Sequence, residues 1–94
     1  FLSKAKALVV YPGGFGTFDE LFETLTLIQT GKSEDIPVVL VGRSYWEKAT
    51  DFDFLKDEGV IAPNDTDIFK FADNAAEAWE YILLWHKKKG NPLF

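Results

Sequence analysis

The chain has 94 residues, 47% hydrophobic, 27% charged and 16% aromatic, with a net charge of −5 from 15 acidic and 10 basic residues. That length suits one small domain, and the acidic balance excludes a general nucleic-acid binder, which needs a basic face against phosphate. The absence of cysteine, a single histidine (His86) and the lack of any apolar run near ~18 residues exclude disulfides, thiol catalysis, multi-histidine metal sites and a helical membrane span.

The chain opens on Phe1 and has no methionine, so it is expected to begin partway through a longer polypeptide, with residues 1–6 ending a preceding helix. That opening is too short and too charged for a signal peptide, and a cytoplasmic protein is expected. Residues 7–11, Ala-Leu-Val-Val-Tyr, form an apolar run stopped by Pro12-Gly13-Gly14. This is the pattern of a parallel strand buried on both faces, and it calls for neighbours on both sides. Residues 18–30 follow as an amphipathic helix, with Phe18, Leu21, Phe22, Leu25 and Ile28 on one stripe and Gly31 at its C-terminal cap. Residues 36–42 are a second apolar strand. Ser44 is placed to cap a second helix through Tyr45, Trp46 and Ala49, and a helical turn is expected near 52–56. Residues 67–73 read as a third, weaker strand with one wetter face. Asn74-x-x-Glu77 is a capping box opening a last helix. Its stripe is Ala75, Ala78, Trp79, Ile82, Leu83 and His86, and Lys87-Lys88-Lys89 is its cationic last turn. Strand–helix alternation of this kind implies an α/β fold, three layers around a parallel sheet. Three strands make a thin sheet, so residues 1–94 are expected to be the C-terminal half of one domain.

The chemistry concentrates in the turn Pro12-Gly13-Gly14-Phe15-Gly16-Thr17. Glycines let backbone amides approach a ligand without Cβ obstruction and permit positive φ. The amides opening the next helix are unpaired and lie at the positive end of its dipole, which suits a phosphate. In open α/β sheets ligands bind beyond the carboxyl ends of the strands, where this turn lies. Asp19 stands where a dinucleotide fingerprint needs its third glycine, and no Gly-Lys-Ser/Thr follows as in a P-loop. Glu20 has two readings. Thr17-x-x-Glu20 is a capping box, and Asp19 and Glu20 complement the helix dipole. Glu20 also stands one turn from the cradle, where it can face a ribose attached to the phosphate. A carboxylate there can stabilise an oxocarbenium ion or activate water during N-glycosidic cleavage.

Pro12-Gly13-Gly14-x-Gly16-Thr17-x-x-Glu20 resembles the PGGxGTxxE signature of the LONELY GUY (LOG) family, cytokinin riboside 5′-monophosphate phosphoribohydrolases also called lysine decarboxylase-like proteins. Residues 21–30, Pro37–Leu40, Tyr45-Trp46, Gly59-Val60-Ile61 and Asp65 are similar to the same family, closer to its longer bacterial type than to its short plant type. The resemblance implies a Rossmann-like nucleotide-binding fold. It also implies hydrolysis of AMP or a cytokinin riboside monophosphate to base and ribose 5-phosphate, without metal or organic cofactor. Carried onto this chain, Gly13, Gly14, Gly16 and Thr17 hold the phosphate and Glu20 is the catalytic carboxylate. The family's Arg-Lys pair would fall before Phe1, since Lys4 and Lys6 do not match it, so these 94 residues alone are expected to be inactive. The resemblance further implies a homodimer through helix 18–30, with Leu27 either at that contact or packed under a loop. The alternatives are a carrier that binds a nucleotide or phosphorylated cofactor without turnover, and a structural piece in which Thr17 and Glu20 only cap a helix.

Among the remaining residues, Trp46 and Trp79 read as core, Trp85 as exposed or interfacial, and His86 as a core-facing residue at a helix end. Asp51, Asp53, Asp57, Asp65, Asp67 and Asp73 are scattered as turn and cap residues are, not clustered as metal ligands.

Overall fold

A computed structural model describes residues 6–90. The helix end expected over residues 1–6 therefore lies, but for Lys6, outside the described residues. Three strands, β1 (Leu8–Val10), β2 (Val38–Val41) and β3 (Phe69–Ala72), form one parallel sheet in the order β1-β2-β3. Leu8 faces Val38, and Val38 faces Phe69. Helix α1 (Phe15–Gln29) connects β1 to β2. Helices α2 (Arg43–Ala49) and α3 (Phe52–Asp57), with a 3-10 turn over Asp65–Ile68, connect β2 to β3, and α4 (Ala75–Lys88) closes the chain. Among the described residues no helix is long and apolar enough to cross a membrane.

The three layers follow from side-chain alternation along the central strand. Val38 and Leu40 face α1 and α2, packing with Leu21, Ile28 and Trp46. Val39 and Val41 face the other way, onto Ala78 and Ile82 of α4. Both crossovers lie on one face, as parallel connections running in one direction along a sheet require. All four residues of β2 are buried, whereas Leu8 and Val9 of β1 are half-buried. Among the described residues β1 pairs on one side only. In β3 Lys70 is exposed, the wetter face its alternation called for.

The helix ends show where local chemistry held and where it did not. Thr30 caps α1, Gly31 follows at φ 74°, and the Gly31 and Lys32 amides donate to the carbonyls of Ile28 and Leu27 at 3.1 and 2.9 Å. That is a Schellman motif, which needs a left-handed residue at the Gly31 position. Asn74 Oδ1 accepts from the Glu77 amide at 2.9 Å, while Glu77 returns to the Asp73 amide at 3.0 Å, one residue earlier than the standard box. Asp51 caps α3 by accepting from the Phe54 amide at 3.0 Å. Asp65 accepts from the Ala62 amide and from Gln29 Nε2. These carboxylates serve caps and turns. Ser44 is not a cap: α2 begins at Arg43 behind Gly42, whose φ of 94° turns the strand end directly into the helix.

Trp79 corrects the expected stripe of α4. It is 48% exposed and Ala75 is exposed too, while the buried residues are Ala78, Ile82 and His86, with Tyr81, Leu83 and Trp85 half-buried. The helix is thus turned toward the Tyr81–Trp85 side. Burial raises the Tyr81 phenol above its ordinary 10.0, and Lys70 Nζ lies 5.9 Å from that ring. His86 Nε2 is 2.7 Å from the Lys6 carbonyl, which can only accept, so Nε2 carries the proton. His86, Lys87 and Lys88 fill the last turn, as the dipole favours.

Candidate functional site

The glycine turn lies between the end of β1 and the start of α1, at the carboxyl end of the sheet. Helix α1 starts at Phe15, three residues before the position its apolar stripe marks, with Gly14 as N-cap and no side-chain cap. Its first ladder bond runs from the Phe18 amide to the Gly14 carbonyl at 3.1 Å. The amides of Phe15, Gly16 and Thr17 therefore precede the ladder and lack intrahelical acceptors. Thr17 and Glu20 sit inside the helix and form no capping box. Nor are Asp19 and Glu20 in the first turn, where a carboxylate interacts best with the dipole.

The motif glycines work through their missing side chains rather than through handedness. The positive-φ residues are Gly31, Gly42, Gly59 and Gly90, so Gly13, Gly14 and Gly16 all keep ordinary φ. A Cβ on Gly13 would collide with the Thr17 side chain, lying 2.9 Å from Thr17 Cβ, whereas one on Gly14 or Gly16 would point into open space. Gly13 thus lets Thr17 fold back over the turn. Gly14 and Gly16 leave the approach to the amides clear.

Thr17 and Glu20 share one side of α1, three residues apart. With Tyr11, Pro12, Leu21 and all three residues of β1 they border a cavity of about 260 Å³ that runs along that strand. Among the described residues Glu20 is engaged in neither a helix cap nor an ion pair, and it is exposed. The site so assembled sets a row of unladdered amides at the start of α1 beside a threonine and a carboxylate that border one cavity. A larger cavity of about 690 Å³ lies toward the β3 edge, bordered by Arg43, Asp51, Lys70 and Tyr81 among others. Several of its polar groups have partners within the protein: Arg43 stacks 4.9 Å from the Phe71 ring, and Asp51 caps α3.

One residue at the site escaped the sequence reading. Tyr45, in the first turns of α2, donates its hydroxyl to the Gly13 carbonyl at 2.5 Å. The signal available was topological: in a parallel sheet both strand-to-helix turns lie at the same end, so the second can brace the first. Trp46 is fully buried beneath them, its Nε1 donating to the Val41 carbonyl at 3.0 Å. It is core and does not line the cavity. His86 is at the opposite end of the sheet, since Lys6 precedes β1 whereas the glycine turn follows it.

The family model described as "Possible lysine decarboxylase" matches residues 1–82. The chain is 36% identical over 75 residues to the cytokinin riboside 5′-monophosphate phosphoribohydrolase LOG7 of Arabidopsis thaliana, covering 79% of this chain and 35% of that protein. It is 33% identical over 80 residues to LOG2 of the same plant, covering 84% of this chain and 38% of the relative. It is 35% identical over 74 residues to the probable LOG4 of Oryza sativa subsp. japonica, covering 78% and 32%. The chain thus spans about a third of the length of the curated relatives it matches. A match over most of the chain, on a parallel sheet whose first strand ends in PGGxGTxxE, places it in the lysine decarboxylase-like family, that of the LOG phosphoribohydrolases.

Proposed function

We propose that this chain carries the phosphate cradle and the catalytic carboxylate of a nucleoside 5′-monophosphate phosphoribohydrolase. The observation that carries the reading is the juxtaposition, at the start of α1, of unladdered amides with Thr17 and an uncommitted Glu20, the latter two bordering one cavity. The relatives' names add the reaction. In it water attacks C1′ of the ribose, the N-glycosidic bond breaks with its electrons going to the base, and the base takes up a proton. The products are free base and ribose 5-phosphate. Amides of residues 14–17 and the Thr17 hydroxyl bind the phosphate. Glu20 opposes the positive charge that builds on the sugar or takes a proton from the attacking water. AMP and a cytokinin riboside monophosphate are the substrates to test, with base release by the intact gene product as the measurement. Phosphate binding without base release from either would instead support the carrier.

The same reading takes residues 1–94 as one half of a larger domain. The one-sided pairing of β1 among the described residues and the greater length of the relatives, of which the matched segment covers about a third, support it. The 94 residues alone are then inactive. A homodimer through α1 is part of the proposal, supported by exposed Phe22 and half-buried Leu27 on that helix. A monomeric sedimentation coefficient for the intact protein would remove it.

The glycines separate a phosphate site from a mere helix start. Gly13→Ala drives a methyl into Thr17, whose β-branched side chain has few rotamers to escape to, and should cost about 1–3 kcal/mol of stability. Gly14→Ala and Gly16→Ala meet no atom in the protein; Gly16→Ala, inside α1, should leave the melting temperature unchanged or higher, whereas Gly14→Ala, at the N-cap, where glycine is preferred to alanine, should lower it slightly. Their methyls do enter the space a phosphate needs, so affinity for ribose 5-phosphate should fall at least about tenfold, as for other overpacked contacts. Calorimetric titration beside thermal unfolding checks both halves. Unchanged affinity in Gly14→Ala and Gly16→Ala would leave only a structural role for the turn.

A further inference from the structure

We propose that the Tyr45 hydroxyl is a positioning group for the phosphate: it fixes the Gly13–Gly14 peptide so that the Gly14 N–H, not the Gly13 carbonyl, faces the ligand. The inference rests on the reading of the glycine turn as a phosphate cradle.

The geometry is that of a single peptide plane. Its carbonyl and N–H point in opposite directions, because the bond is trans, as all described bonds are. Tyr45 draws the Gly13 carbonyl toward α2 at 2.5 Å, so the Gly14 N–H is turned away from α2. A Cβ on Gly14 would meet no protein atom, so no side chain crowds this residue. The Phe15, Gly16 and Thr17 amides continue from there as the unpaired start of α1.

Orientation matters here because this peptide is easily turned. Neither flanking residue has a Cβ, and both can occupy most of backbone space. Rotated the other way, the unit would present a carbonyl dipole's negative end to an incoming phosphate. One hydrogen bond is enough to choose between two such states, and Tyr45 is itself well held. Its ring packs edge-on against fully buried Trp46, with centroids 5.2 Å apart. The second turn is also pressed against the first: a Cβ on Gly42 would lie 3.4 Å from Pro12 Cγ. Tyr45 is therefore a packed ring whose one hydroxyl is aimed at the turn's only Gly–Gly peptide.

The variant Tyr45→Phe keeps the ring and removes only the hydroxyl. In the intact gene product its dissociation constant for ribose 5-phosphate should rise roughly fivefold, the size of one lost orienting hydrogen bond. KM for the nucleotide should rise by the same factor while kcat stays within about twofold, because the phosphate is held equally in ground and transition states. The Gly14 amide resonance should move downfield on adding ribose 5-phosphate to the wild type, and less in Tyr45→Phe. An unchanged dissociation constant with a full Gly14 shift overturns the inference and leaves the proposed function standing. A lowered melting temperature and kcat with unchanged affinity also overturns it, by showing a purely structural role. A wild type that binds ribose 5-phosphate without releasing base refutes the hydrolase alone, and the Tyr45→Phe ratio still decides the inference. A wild type that binds no ribose 5-phosphate overturns both.

Discussion

Glu20→Gln in the intact protein is expected to lower base release from its nucleotide substrate by about 10²–10⁴-fold, while ribose 5-phosphate still binds. The substitution keeps size and shape and removes only the charge. A neutral amide can neither offset an oxocarbenium ion nor accept a proton from water. The fold should be indifferent to it. Glu20 is exposed, lies beyond the first turn of α1, and serves no cap or ion pair among the described residues. Such surface changes usually fall within about 0.5 kcal/mol. A capping role would give the opposite signature, a loss of ~1 kcal/mol of stability with turnover intact. Base release within a few-fold of wild type in Glu20→Gln would sink the catalytic assignment, and a stability measurement on the same sample separates the two outcomes.

Trp46→Ala should be the most damaging core substitution, costing about 3–5 kcal/mol. That is a large part of the ~5–15 kcal/mol by which domains are usually stable. Trp46 is fully buried and meets Phe18 of α1 and Tyr45 of α2, with ring centroids 5.3 and 5.2 Å away. Truncation opens a void beneath both strand-to-helix turns and also orphans the Val41 carbonyl, to which Nε1 donates at 3.0 Å. Trp46→Phe restores most of the volume without the N–H and should recover roughly half of the loss. Urea unfolding of the three proteins checks the order. A Trp46→Ala midpoint close to wild type would show that the turns are held by something else.

Much of this arrangement is legible in the residues themselves. Continuous apolar runs at 7–11 and 36–42 mark the strands because a strand covered on both faces needs no polar alternation. Gly31 and Asn74 announce helix ends through chemistry that acts within a few residues. The misreadings arise where the apolar pattern is silent or where packing between elements overrides it. The first apolar residue on α1's stripe is Phe18, yet the helix starts at Phe15, which is 96% exposed and gives the pattern nothing to register. Trp79 matches a helical stripe, but α4 rests on the sheet through Ala78, Ile82 and His86, with His86 fastened to the Lys6 carbonyl. At the site, Glu20 was visible as a signature residue, whereas Tyr45 was not, because its partner is 32 residues away and is a backbone atom.

Parallel pairing also dictates an order of assembly. Leu8 meets Val38 and Val38 meets Phe69, so each strand pair must wait for a crossover of about thirty residues to close. Tyr45 lies beyond the second strand. During synthesis the glycine turn therefore leaves the ribosome well before its brace, and its Gly13–Gly14 peptide is free to rotate until α2 has docked. The proposed phosphate site is consequently a late product of vectorial folding, even though its own residues come early in the chain. Drugs or mutations that stall the β2–α2 unit should yield helical but phosphate-blind intermediates.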